Sequence, residues 1–284
     1  MNNKLIGIFL AAIMLMSIGT YFFAGPLSNQ NNNDNGDASQ APGFETIPGT
    51  KMSHELNSLQ DGLNMTPEGV TTAIYIDYSR ANDSYIRLTV PGIAGIYNST
   101  VEKRFGAYNP STNFSYEAHV INPEVIDFEY TYTGETYNGY YLLLRGQTDS
   151  GPIYNVVGTP MLFGPGNSLK QVIDVTTGNG SSTDFERILP YIEVGAEFQA
   201  LYFDNLTEQR YMELRYNADG NYTRTEVFID PRQSLLDNIT ALAANSTERG
   251  LIYNVTTYDE ENVTKIVIES NESNFFSLYQ ESIN

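Results

Sequence analysis

The sequence predicts an α+β protein: an N-terminal transmembrane helix, then antiparallel sheets with helices on one face, arranged as two tandem repeated units. Three observations lead there. Leu5 to Ala24 is a run of twenty residues without a charge. Beyond it, segments of alternating apolar and polar residues recur between turn signals, the period-2 pattern of half-buried strands. Segments with helical spacing are few and short, too little helix to cover both faces of a sheet.

The first run reads LIGIFLAAIMLMSIGTYFFA and follows Lys4. At 1.5 Å rise per residue, twenty residues cover a hydrocarbon core of roughly 30 Å. A cleaved signal peptide is the competing reading. It requires small residues at the cleavage site, and Phe22, two before Ala24, is bulky. Residues 5–24 are therefore expected to be an uncleaved signal anchor, with 1–4 a cytoplasmic stub on the Lys4 side. Residues 25–50 are expected to be a disordered polar tether. Its stretch NQNNNDNGDASQAP, Asn29 to Pro42, has no β-branched or aromatic residue and cannot build a core. Asn31, Asn33, Asn35 and Gly36 imitate half of a calcium loop. The glutamate required at the twelfth position is Pro42, which removes that reading.

The body divides into a first α+β unit over 51–177 and a second over 184–284, with GNGSST (Gly178 to Thr183) as the linker. In the first, Ser53 to Asp61 reads as a short helix stopped by Gly62. Thr71 to Tyr78 and Ser84 to Val90 read as strands. Ser99 with Glu102 forms a capping box for a helix bearing Val101 and Phe105. Val125 to Thr133 alternates most cleanly, followed by Tyr140 to Arg145 and Ile153 to Val157. Ser168 to Val175 reads as helix. In the second unit, Glu197 to Asp204, Arg210 to Tyr216 and Tyr222 to Ile229 form a meander, the last two joined by Asp219-Gly220. Asp230 and Pro231 open a helix whose apolar face is Leu235, Leu236, Ile239, Leu242 and Ala243. Leu251 to Tyr258 and Val263 to Glu269 make a hairpin, and Phe275, Leu278 and Tyr279 a closing helix.

AIYIDYSRANDSYIRL, from Ala73, resembles ALYFDNLTEQRYMEL, from Ala200. Ala, Tyr, Asp, Tyr and Leu coincide after one gap, which suggests an internal duplication. Coincidence among Tyr-rich strands is the bland alternative.

The 284 residues hold no cysteine and two histidines, with Lys+Arg 15 against Asp+Glu 34 and a net charge of -19. Disulfides, thiolate chemistry and multi-histidine metal sites are excluded. So acidic a surface repels phosphate backbones, and no nucleic-acid partner is expected. Twelve N-x-[ST] sequons lie beyond the apolar run, where 28 Asn would give about four or five by chance. Asn82, Asn98, Asn113, Asn179, Asn205, Asn221, Asn238, Asn245, Asn254, Asn262 and Asn271 are the expected glycosylation sites, and Asn64 completes the set. Export, acidity and dense sequons without disulfides resemble archaeal cell-surface glycoproteins as a class. No family motif accompanies the resemblance.

No catalytic, metal or cofactor site is assigned, and no cofactor is expected. Asp77 and Asp204 end similar strands and could act as paired acids, but turn capping explains them better. Asp259, Glu260 and Glu261 read as a solvated hairpin tip. His119 reads as a hydrogen-bonded strand histidine, with no nucleophile elbow anywhere to make it part of a triad. The 21 Tyr could stack on sugars, yet the chain has no Trp, and Tyr suits half-buried strands. The expected role is that of a single-pass, membrane-anchored, extracytoplasmic glycoprotein acting in binding or envelope structure, with a protein or envelope-polymer partner. Two alternatives are a surface hydrolase using paired carboxylates on a glycan or peptide, and an accessory subunit of a membrane or filament assembly.

Overall fold

The computed structural model describes residues 41–90, 92, 96–148, 151–178 and 180–284. The stub, the anchor, most of the tether and Asn179 lie outside the described residues. The strands are β1 (Met52–Ser53), β2 (Thr72–Asp77), β3 (Thr100–Asn109), β4 (Phe114–Asn122), β5 (Thr136–Tyr137), β6 (Tyr140–Thr148), β7 (Gly151–Val156), β8 (Gly158–Thr159), β9 (Met161–Pro165), β10 (Phe198–Tyr202), β11 (Gln209–Tyr216), β12 (Tyr222–Ile229), β13 (Leu251–Tyr258) and β14 (Val263–Ser270). The helices are α1 (Leu59–Asn64), α2 (Tyr78–Ala81), α3 (Gly166–Thr176), α4 (Gln233–Ala244) and α5 (Phe275–Gln280). The protein is α+β: few helices pack on one large antiparallel sheet.

Twelve strands join in the order β13-β14-β12-β11-β10-β2-β3-β4-β9-β7-β6-β5. β2 and β10 meet antiparallel near the middle, Phe198 opposite Ile76 and Tyr202 opposite Thr72, so the sheet runs unbroken across both halves of the body. β2 is buried at every position but its first. It reads TAIYID rather than alternating, because both its faces are covered. On the first face Ala73, Tyr75, Phe105, Ala107, Tyr116 and Ala118 pack against Leu59 and Leu63 of α1 and Leu169, Val172 and Ile173 of α3. On the second, Ile74, Ile76, Phe198, Phe228, Ile266 and Ile268 meet Leu235 and Ile239 of α4 and Phe275 and Leu278 of α5. A third cluster sets Phe44, Ile47, Ile96 and Ile126 against Ile121, Leu143, Val157 and Met161. Helices therefore lie on both faces, not one. Short helices suffice because loops supply the rest of the cover, such as Phe185, Ile188 and Leu189 on the first face.

Three local expectations yield to tertiary pairing. Ser84 to Val90 is not a strand. Asp77 accepts from the Arg80 N–H to start α2, and the Ser84 hydroxyl caps a single 3-10 turn over Tyr85–Leu88. The expected helix at Ser99 is strand β3 instead, paired on both sides, with β2 and with β4. Two ladders outweigh one cap, and Glu102 accepts from the Asn122 amide. Val125 to Thr133 does not alternate in burial: along the expected apolar face Ile126 is buried, Phe128 half-buried, and Tyr130 and Tyr132 exposed. It forms only isolated bridges, Val125 to Gly43 and Thr131 to Leu144. The first helix starts late, with Ser58 as N-cap, and runs through Gly62.

The two similar segments become the adjacent strands β2 and β10. Their equivalences do not share an environment. Ala73 pairs with Leu201 and lies on the first face, whereas Ala200 pairs with Ile74 and lies on the second. A shift of one residue exchanges the faces of a strand, so the aligned residues point to opposite sides of the sheet.

Gly62 lets α1 lie directly on β3: a Cβ there would collide with the Phe105 ring. Gly62→Ala is expected to destabilise the fold by about 2 kcal/mol, read as a lowered urea midpoint at unchanged slope.

Candidate functional site

The residues with chemical potential converge in two buried polar networks on the second face and in one cleft. The first network lies on β4. Glu117 and His119 are two apart, so they share a face. The His119 ring is fully buried and its Nε2 lies 2.9 Å from Glu117 Oε2. Arg104 of β3 donates to the other oxygen, Glu117 Oε1. Burial pushes the Glu117 carboxyl up, but the Arg104 guanidinium and the His119 N–H bring it down to about 2. Burial lowers His119, against the pull of Glu117. Neutral His119 must then carry its proton on Nε2 to serve the carboxylate, which leaves Nδ1 as an acceptor. The Tyr97 hydroxyl donates to that Nδ1 at 2.9 Å. Tyr97 in turn accepts from Asn155 Nδ2 at 3.1 Å, and Asn155 Oδ1 accepts from Arg145 at 2.7 Å. Every bond in this chain runs the same way, from Arg145 toward Glu117. Such alignment fixes one tautomer and strengthens each link.

The second network centres on Glu226 of β12, fully buried between two arginines. Arg210 Nε donates to Oε2 at 2.8 Å, and Arg224 Nε donates to Oε1 at 2.8 Å. Further guanidinium donors reach main-chain carbonyls in and just after α5, Arg224 to Leu278 and Glu281 at 3.1 and 2.9 Å and Arg210 to Ile283 at 3.1 Å, and Arg210 also reaches Asp204 Oδ2 at 3.5 Å. Neither network holds a Ser or Thr hydroxyl beside a base. Both carboxylates already serve cations, so neither is free to take part in proton transfer.

A cleft of about 770 Å³ opens between β4, β9 and the start of α3, lined by Phe114, Tyr116, Glu117, Phe163, Asn167 and Gln171 among others. Its acids are Glu68 and Glu117, and Asn113 of a sequon also lines it. With Glu117 held by Arg104 and His119, no pair of available carboxylates is established there.

The other candidates resolve simply. Asp77 and Asp204 are turn caps. Asp77 Oδ1 accepts from Ser79 and the Arg80 N–H, and Asp204 Oδ1 accepts from the N–H groups of Leu206 and Thr207. They end antiparallel neighbours and so stand at opposite ends of the sheet. Asp259, Glu260 and Glu261 are exposed at the β13–β14 tip. Among the described residues no group of three or more His, Asp or Glu could hold a metal ion. Nor is any helix long and apolar enough to cross a membrane. Sequence reasoning placed His119 correctly but missed its partners. Tyr97, Arg104 and Asn155 come from elements far apart in the chain, and only the Glu117-x-His119 spacing was visible.

The sequons share one property. Asn64, Asn82, Asn98, Asn113, Asn205, Asn245, Asn254, Asn262 and Asn271 are exposed, and Asn221 and Asn238 are half-buried. Among the described residues two asparagines are buried, Asn109 and Asn155, and neither begins a sequon. Asn109 would begin one but for Pro110, and its amide donates to the carbonyl of exposed Gly69 beside the cleft.

No family model matches the chain, and no curated protein matches it. Among solved structures it is similar to a chain of TP0453 in crystal form I, with 9% identity and a TM-score of 0.40, over 76% of this chain and 95% of that one.

The first network makes a pH prediction. His119 is depressed in the fold, so below its ordinary value of 6.5 the unfolded chain binds a proton that the folded chain refuses. Stability should fall as pH drops from 7 to 5. His119→Gln should lower stability at pH 7 and flatten that slope, measured by urea unfolding at each pH. Glu117, held near 2, adds a second loss only as pH falls through the carboxylate range toward 2. Glu117→Gln strands Arg104 and should cost about 3–5 kcal/mol.

Proposed function

We propose that the chain is a membrane-anchored, extracytoplasmic cell-surface glycoprotein acting in binding or envelope structure. Residues 5–24 hold it in the membrane, with 1–4 inside, and 25–40 lift the body away from the bilayer. The expected tether is shortened, because Phe44 and Ile47 pack in the third core cluster, and the body over 41–284 presents an acidic surface to a protein or envelope-polymer partner. The two α+β units are proposed on topology: each half supplies a three-strand meander, β2-β3-β4 and β10-β11-β12, followed by further strands that pair at its outer side. Residue-by-residue likeness between Ala73 and Ala200 plays no part in that division.

The observation that supports this reading is the separation of asparagines by burial. Glycans must face solvent. The sequon asparagines that the structure describes are all exposed or half-buried, while the buried ones lie outside sequons.

Glycopeptide mapping and N-terminal sequencing by mass spectrometry, on protein from its own cells, test the proposal. Asn98, Asn245, Asn254 and Asn271 are exposed together with their sequon hydroxyls, Thr100, Thr247, Thr256 and Ser273. They should be the most fully occupied. Asn64, Asn205 and Asn262 should be occupied least if transfer follows folding, because Thr66, Thr207 and Thr264 are buried. Met1 or Asn2 should remain at the N-terminus. Bare sequons throughout, or a chain beginning near Gly25, would contradict the anchored glycoprotein.

A further inference from the structure

The two edges of the sheet are built differently. At one end β5 is two residues long, and β6 behind it is engaged through Leu142 and Leu144, whose N–H groups donate to the carbonyls of Glu135 and Thr131. At the other, β13 runs eight residues in unbroken register with β14, from Leu251 opposite Ser270 to Tyr258 opposite Val263. Among the described residues no strand pairs with its outer side. From Ile252 to Tyr258 every residue is exposed except half-buried Tyr253, and Ile252 is 66% exposed.

An open edge is a template for another strand. Proteins normally blunt it with charges, proline, a bulge or a cover. β13 uses none of the first three. Its sequence, LIYNVTTY, has no charge and no proline, and its ladder has no bulge. It is instead rich in β-branched and aromatic residues, which favour strand pairing.

The exposed charges around this neutral strand are acidic. Glu248 stands before it, Asp259, Glu260 and Glu261 follow it, and Glu269 lies opposite Ile252, all exposed. The neighbouring cations are already engaged, Arg249 with Glu281 at 2.7 Å and Lys265 with Glu193 at 3.2 Å. A second copy of the chain would bring another net charge of -19 to this edge. A basic segment would bring the complementary sign.

We propose that β13 is a docking edge that takes up, by strand addition, an extended segment of a partner protein with Lys or Arg flanking a β-branched centre. Main-chain bonds along β13 supply the affinity. Val255 and Tyr253 on one face, and Ile252 on the other, receive the partner's alternating side chains. The acids at both ends of the strand select the flanking cations. Asn254 points out of one face, so a glycan there stands perpendicular to the plane in which the partner adds. The proposal goes beyond the surface-glycoprotein reading by naming a partner class, and it stands or falls separately.

The test uses the full chain in detergent micelles, as isolated and after enzymatic removal of glycans. The probe is a fluorescent peptide of alternating Val and Thr with two Lys at each end; the control carries Glu in place of Lys. Fluorescence anisotropy reads binding, and hydrogen exchange reads where it occurs. The Lys peptide should bind, more weakly as salt rises, and should slow exchange at 251–258. The double variant Val255→Lys, Thr257→Lys should weaken binding about tenfold, with exchange in β2 and β10 unchanged as proof of folding. Equal binding of the Glu peptide, protection at another segment, or no binding by a folded protein would overturn the proposal. So would protection of β13 before any peptide is added. A dimer mass would then give the edge to a second copy, and a monomer mass to residues of the same chain. Bare sequons in the glycan mapping would defeat the glycoprotein reading and leave this result untouched.

Discussion

Glu226 lies fully buried on an interior strand of the sheet, and much of the second half of the molecule is arranged to keep it paired there. An unpaired carboxylate in such a place is unaffordable, costing several kcal/mol even after relaxation. Arg210 and Arg224 flank it from the neighbouring strand and from its own. Two guanidiniums bring more donors than one carboxylate can accept. The surplus is satisfied by the carbonyls of Leu278, Glu281 and Ile283. One buried charge thus dictates where α5 and the segment after it must lie. Arg104, Glu117 and His119 do the same for β3 and β4, handing the constraint to Tyr97 and Asn155. Three arginines lie inside, and Asp77, Glu117, Glu197, Glu213, Glu226 and Glu281 are buried with them, so the interior takes in acids as well as cations.

The fold was partly legible from local pattern. The β11–β12 and β13–β14 hairpins, α3, α4 and the closing helix have strong periodicity and clear turn chemistry, Asp219-Gly220 foremost. They formed close to where the sequence places them. β3 was not legible, because Ser99 and Glu102 supply a local helix signal that only pairing with β2 and β4 defeats. Ser84 to Val90 failed in the opposite sense: its composition suits a strand, but two side-chain caps turn it away from the sheet. The repeat beginning at Ala73 and Ala200 did find the two central strands. Its odd offset of 127 residues puts matched side chains on opposite faces, something a linear alignment cannot register.

The site was less legible than the fold. Buried ion pairs look like ordinary surface charges in a sequence, since nothing local distinguishes Arg104 or Glu226 from solvated residues. His119 betrayed itself only as a rare residue inside a strand. Sequons are the exception, because their rule is written in three consecutive residues, and the structure can be asked directly whether their asparagines reach solvent.

On the reading proposed above, exposed asparagines, an acidic exterior and an unguarded edge strand suit a body that meets other macromolecules in open solvent. That account depends above all on which side of the membrane the body occupies. The five lysines measure it directly: Lys4 precedes the apolar run, and Lys51, Lys103, Lys170 and Lys265 follow it. Intact cells treated with a membrane-impermeant amine reagent should yield the chain modified on lysines of the body, with Lys4 modified only after permeabilisation. Body lysines untouched until the cells are opened would place the body inside and contradict the account.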